Sequence, residues 1–159
     1  GLGVDAELVR RVDALGRRPD GARPGDLAFV RAGLRVLRER GFRLEPQLEV
    51  VGVGPAAFAL AANCSPYTYA GRLGLRLAPG ATFEGGLDIV APESLSRLSL
   101  PLLAWWALGR GGDQVRLRDA RRVELRGARP LPLQVDGEDV GDVDEVVLEA
   151  ELDAVTVLV

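Results

Sequence analysis

Residues Leu131 to Glu138 read LPLQVDGE. Leu131 to Val135 has the composition of a strand, and Asp136-Gly137 follows it at once. Asp-Gly after such a run is the strongest short-range hairpin signal, because both residues accept the positive φ a tight turn needs. Outward from this turn the chain keeps the same character. Val115 to Leu117 and Val123 to Leu125 precede it as strands, and Val146 to Leu152 and Val155 to Val159 follow it. Further upstream Phe42 to Val53 (FRLEPQLEVVGV) alternates, Ala56 to Asn63 is a short apolar run, and Leu73 to Leu77 and Leu87 to Val90 read as strands. Gly and Pro punctuate nearly every junction.

Three segments carry a helical period instead. Val4 to Leu15 spaces Val4, Leu8, Val12 and Leu15 on one face, with Glu7, Arg10, Arg11 and Asp13 opposite. Asp26 opens a second helix to about Arg40, with Leu27, Val30, Leu34 and Leu37 on one face and Gly41 as its stop signal. A third helix is expected over Ser94 to Gly109, with Ser94 as N-cap. Two helices, then strands, one helix and strands again predict an α+β fold: a mostly antiparallel β-sandwich with about three helices.

Composition narrows the chemistry. The 159 residues are 47% hydrophobic and 27% charged, a globular balance and one domain's length. The longest apolar run, Leu100 to Leu108, is far short of the roughly 20 residues a membrane span needs. With 23 acidic against 20 basic residues the net charge is −3, so no overall basic field recruits nucleic acid. Every basic residue is Arg, which removes Schiff-base and lysine phosphate-clamp chemistry. The absence of His removes imidazole base catalysis, the Ser-His and Cys-His arrangements, and the commonest zinc ligand. The single Cys64 forms no intrachain disulfide and suits a reducing compartment. Any chemistry therefore falls to carboxylates, hydroxyls, Arg and backbone amides. The absence of Met leads us to expect a piece of a longer protein. An all-Arg, Gly- and Pro-rich composition suggests a GC-rich bacterial genome.

Four local features carry candidate chemistry. Asp136-Gly137-Glu138 places a Gly between two carboxylates, so that both can face one ligand, hold Mg²⁺ or take a proton from an attacking hydroxyl. The alternative is a plain hairpin turn, which the residue types alone favour. Glu84 and Asp88, four apart in a Gly-containing loop, offer oxygens to a hard cation or are simply solvated. In Asn63 to Gly71, Tyr67 and Tyr69 line an acyl pocket or close the loop, while Cys64, without a His partner, reads as a packed thiol. Trp105 and Trp106 point about 100° apart on a helix, so one faces the core and the other a membrane interface or a partner domain.

Taken in order, these segments resemble the C-terminal half of the diacylglycerol kinase catalytic family, which includes bacterial lipid kinases and the sphingosine kinases. The matching pattern is a Gly3-Val4-Asp5-Ala6 opening into a helix, a strand ending in Asn63, and the loop Tyr67 to Gly71. It continues with Leu77 to Ala81, Glu84 to Asp88, the Arg-rich strand Ala120 to Val123, and LPLQVDGE. The resemblance covers nearly the whole chain. It implies a two-domain enzyme whose first, nucleotide-binding domain carries a Gly-Gly-Asp-Gly-Thr loop. The nearest string here is Gly111-Gly112-Asp113-Gln114, so residues 1–159 correspond to the C-terminal domain and the nucleotide-binding domain is absent from this chain.

The resemblance further implies Asp136 as general base, Glu138 as its neighbour at the metal-nucleotide site, and Asn63, Tyr67 and Tyr69 at the substrate. Many bacterial members carry Asp where this chain has Gly80 and Glu84, and only Asp88 matches outright, leaving Glu84 and Asp88 as metal ligands. Mg²⁺ and the co-substrate ATP are implied with them, as are a lipid substrate with a hydroxyl such as diacylglycerol and a cytoplasmic enzyme that visits the membrane surface peripherally. The partner implied is the missing nucleotide-binding domain, whose docking face, left bare, favours self-association as a homodimer. Two other functions compete: a stand-alone lipid-binding or regulatory module, and the second domain of an NAD-kinase-like enzyme.

Overall fold

The computed structural model describes residues 1–16, 24–70, 72–99, 105 and 115–152. Two helices come first, α1 (Val4–Asp13) and α2 (Asp26–Glu39). Short strands follow: β1 (Leu48–Val50), β2 (Gly54–Ala56), β3 (Leu60–Ala62), β4 (Thr68–Ala70), β5 (Leu73–Leu75) and β6 (Leu87–Val90). Three longer strands end the described fold, β7 (Val115–Ala120), β8 (Arg122–Val135) and β9 (Glu138–Glu149). The described pairings are all antiparallel and form a four-stranded sheet in the order β2-β1-β8-β9, a three-stranded sheet β3-β6-β7, and the separate hairpin β4-β5.

The first two sheets make the sandwich. Leu48, Val50, Val123, Leu125, Leu131 and Leu133 of the larger sheet pack with Ile89 of the smaller one in a single buried cluster. Leu2 joins the two sheets, bridging to both Ala59 and Leu133 while it is 1% exposed. A second cluster tucks Val4 of α1 and Val36 of α2 against Phe58, Leu60 and Val90. Each fully buried aliphatic of these layers contributes roughly 1.5–3 kcal/mol. The expected α+β, mostly antiparallel sandwich is the fold found.

Several elements differ from the sequence expectation. Val123 to Leu125 and Leu131 to Val135 belong to one strand, β8, whose register against β9 slips between Arg126 and Leu131, around Pro130. Strand character over Phe42 to Val53 contracts to Leu48–Val50, because Phe42 takes a positive φ of 58° after the helix and a turn at Gly52 sends the chain back as β2. No helix starts at Ser94: Leu95 is held in a bridge with Leu44, and the described helical residues there are a 3₁₀ turn, Arg97–Ser99, and Trp105. The remainder of that expected helix, and Val155 to Val159, lie outside the described residues.

The buried face of α2 is also different. Leu27, Val30 and Leu34 are more than half exposed, whereas Val36 is buried and Ala28, Ala32 and Gly33 are partly so. A Cβ on Gly33 would stand 3.9 Å from Leu8 Cδ2, so the small-residue face lies toward α1. Close helix–helix approach selects the small side chains over the larger apolar stripe.

Candidate active site

Gly1-Leu2-Gly3 runs beside β8, with Gln134 N–H donating to Gly1 O and Gly3 N–H to Pro132 O, both at 2.9 Å. This approach leaves no room at Gly1, where a Cβ would fall 2.5 Å from Asp5 Oδ2 and 3.0 Å from Gln134 Nε2. Gly3 then takes φ 94° to start α1, a conformation that side-chain-bearing residues disfavour. Asp5 is thereby delivered on the first turn of α1, where the helix dipole favours a carboxylate.

Gln134 is the node of the cluster and is 5% exposed. Its Nε2 donates to Asp5 Oδ2 at 2.6 Å and to the Tyr67 hydroxyl at 3.1 Å. Its Oε1 accepts from Gly137 N–H at 2.8 Å, which ties the amide to the Asp136-Gly137 turn. Tyr67 completes a triangle by donating to Asp5 Oδ2 at 3.4 Å. Desolvation, and after it the Asp5 charge, push the Tyr67 hydroxyl well above its ordinary value; Asp136 adds to this and the bond from Gln134 opposes it. Tyr67 therefore remains a neutral hydroxyl donor at physiological pH. Asp5 Oδ1 accepts no hydrogen bond among the described residues.

Asp136 and Gly137 form the two-residue turn between β8 and β9, with φ 50° and 81° and Val135 paired to Glu138. Positive φ at both central residues is the type I′ geometry whose twist suits a hairpin, so the turn reading of Asp-Gly is realised. The Asp136 side chain is exposed at the tip, beside the Asp5–Gln134–Tyr67 triangle whose electrostatics it influences. Glu138 opens β9 and is exposed.

The other expected site residues are more dispersed. Asn63 is exposed just past β3, and Tyr69 is exposed on β4; neither hydrogen-bonds to the triangle among the described residues. Cys64 is half-buried, with Sγ 3.9 Å from Pro66 O. Glu84 is exposed in the turn before β6, whereas Asp88 is buried on β6. Among the described residues no three His, Cys, Asp or Glu side chains converge as a metal cage.

Two residues of the cluster, Asp5 and Gln134, were not singled out as site residues by sequence reasoning. The signals were present: a carboxylate in a Gly-x-Asp helix start, and an amide inside an apolar strand next to Asp-Gly. A separate open cavity of about 310 Å³ is lined by Glu7, Arg10, Arg11, Arg40, Arg129 and Asp142 among others. Three of its guanidiniums are already paired. Arg10 meets Asp139 and Asp142, Arg11 meets Glu7 and Glu39, and Arg40 meets Glu7.

The model of one protein family, the YegS C-terminal NAD kinase beta sandwich-like domain, matches residues 1–159. The chain belongs to this family. As a YegS C-terminal domain it is a kinase-associated β-sandwich, and the expected kinship with the diacylglycerol-kinase-like proteins holds at that level. The family description likens this domain to the β-sandwich of NAD kinase, the other kinase branch weighed from the sequence, where the Leu77 to Ala81 and Asp136 to Glu138 motifs favour the lipid branch. No curated protein and no solved structure matches the chain.

Proposed function

We propose that this YegS-type C-terminal domain is the acceptor-binding, carboxylate-bearing half of an ATP-dependent lipid kinase that phosphorylates a lipid hydroxyl such as that of diacylglycerol. The observation that carries the reading is the juxtaposition of Asp136, at the tip of a rigid two-residue turn, with the Asp5–Gln134–Tyr67 triangle. Phosphoryl transfer is mostly positioning and charge neutralisation, so a chain without His can serve it. In this reading Asp136 accepts the proton of the attacking hydroxyl. Gln134 holds the turn through Gly137 N–H, and Asp5 Oδ1 with the neutral Tyr67 hydroxyl orients the acceptor's polar end.

Asp136 and Glu138 offer hard oxygen donors but no complete cage, which fits Mg²⁺ brought largely by nucleotide phosphates and held by one or two carboxylates. Bound there, Mg²⁺ would neutralise charge on the transferring phosphate. The nucleotide itself belongs, in this proposal, to a partner domain outside residues 1–159.

Lipid as the acceptor is supported by exposed apolar side chains: Tyr69 and Leu73 on the β4–β5 hairpin, and Phe83, Leu98 and Trp105. The hairpin pair Tyr69 and Leu73 offers apolar contacts of the kind a transient membrane encounter uses. No helix of the described residues is long and apolar enough to cross a membrane. The test is transfer of labelled phosphate from ATP to diacylglycerol in mixed micelles by the domain joined to a nucleotide-binding domain of its family. Transfer that Asp136→Asn abolishes supports the proposal. Lipid-vesicle binding without any transfer would replace it with a lipid-binding module, and transfer to NAD with an NAD kinase.

A further inference from the structure

Asp88 is the most conspicuous charge in the sandwich: an acid with 5% exposure on the middle strand of the smaller sheet. Its Oδ1 accepts from Asp119 N–H at 3.0 Å, but its Oδ2 is buried and accepts no hydrogen bond. A carboxylate oxygen taken out of water in this way needs a positive charge nearby. The Glu84–Asp88 loop is also where a cation would be expected from sequence, yet the residues present do not gather to hold one. Glu84 is exposed, position 80 has no side chain, and no third acidic ligand converges among the described residues.

The positive charge is supplied from within the chain. The β6–β7 register slips between Leu87↔Ala120 and Ile89↔Leu117, so Arg118 and Asp119 together oppose the single residue Asp88. Such a bulge re-aims side chains. Asp119 takes a positive φ of 51°, its N–H faces Asp88, and its own Oδ1 accepts from Gly86 N–H at 2.6 Å. Arg118 Nη1 comes to 3.6 Å from Asp88 Oδ2. A Cβ at position 80 would lie 3.3 Å from that same nitrogen and 4.0 Å from Asp88 Oδ2, so the absence of a side chain at Gly80 leaves the guanidinium its place.

We infer that Arg118 occupies the cation position of this loop, so that its guanidinium, not a divalent metal, neutralises Asp88 and fixes the 80–88 segment against β7. Three features form one device: Gly80 provides the space, the bulge aims the arginine, and buried Asp88 receives it. A divalent ion at Asp88 would have to share the site with a fixed positive charge, which excludes it. The segment's structure is then independent of Mg²⁺, whatever the metal requirement of any phosphoryl transfer elsewhere on the domain.

The test uses the 159-residue chain and reads thermal unfolding and Mn²⁺ binding by electron paramagnetic resonance. The wild-type melting temperature should be unchanged between excess EDTA and millimolar Mg²⁺ or Ca²⁺. Arg118→Gln should lower it by about 3–6 °C, a modest figure because half of the Arg118 side chain is in solvent. The same change in an Asp88→Asn background should cost little, since the neutral amide no longer needs the cation. Mn²⁺ binding by the wild type should be either absent or unaltered by Asp88→Asn. Mn²⁺ binding that Asp88→Asn removes, or stabilisation of the wild type by divalent ions that the same variant abolishes, would overturn the inference. Additive effects of the two substitutions would overturn it equally, and the wild-type and Asp88→Asn measurements decide the matter even if Arg118→Gln fails to fold.

Discussion

Replacing Gln134 with Leu removes the node of the polar triangle while keeping a side chain of nearly the same length. Three hydrogen bonds disappear: to Asp5, to Tyr67 and from Gly137 N–H. At about 1 kcal/mol for each neutral bond and about 2 kcal/mol for the charge-assisted one, their sum is about 4 kcal/mol. Water can reach half-buried Asp5 and the turn, and Leu gains apolar burial, so about half of that survives as a net loss of roughly 2 kcal/mol. For a chain of this size the melting temperature should fall by about 4–8 °C. Thermal unfolding followed by circular dichroism, with urea melts to check that m is unchanged, measures it. Gln134→Glu is the companion variant. It keeps an acceptor for Gly137 N–H but sets a second carboxylate against Asp5, raising the new group's pKa in the folded state. The stability of this variant should therefore recover on acidification and be lost as the pH rises through that folded value. A Gln134→Leu melting temperature equal to or above that of the wild type would refute the idea that the amide organises this cluster.

If the proposed function holds, Asp136→Asn, in the domain joined to a nucleotide-binding domain of its family, should lower phosphoryl transfer by about 10²–10⁴-fold with stability nearly intact. Asn-Gly suits the same turn as Asp-Gly, so unchanged turnover would leave Asp136 only a structural part. Glu138→Gln should reduce transfer less and raise the Mg²⁺ concentration needed for half-maximal rate, which a Mg²⁺ titration measures. Tyr67 has a folded pKa raised above that of the unfolded chain, so its contribution is complete below about pH 10 and declines as the pH rises from there toward the folded value. Tyr67→Phe should flatten the alkaline limb of stability against pH, and an unchanged slope would count against the buried, neutral hydroxyl. Arg10 binds Asp139 through Nε at 2.7 Å and Nη2 at 2.9 Å, holding that carboxyl below its usual range. Since both partners are about a third exposed, Arg10→Gln should cost under about 1 kcal/mol and nothing measurable in molar salt.

Much of this molecule is local and therefore legible in the chain. Asp136-Gly137 announces a two-residue hairpin because few residue pairs tolerate positive φ twice, and the turn is found where the dipeptide stands. The apolar spacing of Val4, Leu8 and Val12 marks α1, and the strand-like runs mark an antiparallel sandwich, since side-chain period follows backbone geometry. Asp136 was readable as a candidate because its neighbours in sequence are its neighbours in the turn.

What tertiary structure decided are the choices among equally good local patterns. On α2 the sequence offers a larger apolar stripe and a smaller Ala/Gly face, and the close approach of α1 selects the second. Asp5 and Gln134 are separated by 129 positions and come within 2.6 Å only because the Gly1–Gly3 segment is laid along β8. Arg118 and Asp88 are 30 apart, and only the slip of β7 against β6 turns an ordinary surface arginine onto a buried acid. Hydrophobic period and turn chemistry are carried by adjacent residues and so are written along the chain. The partner of a buried polar group is set by which strands pair and in what register, and that is fixed only when the sheets close on their common core.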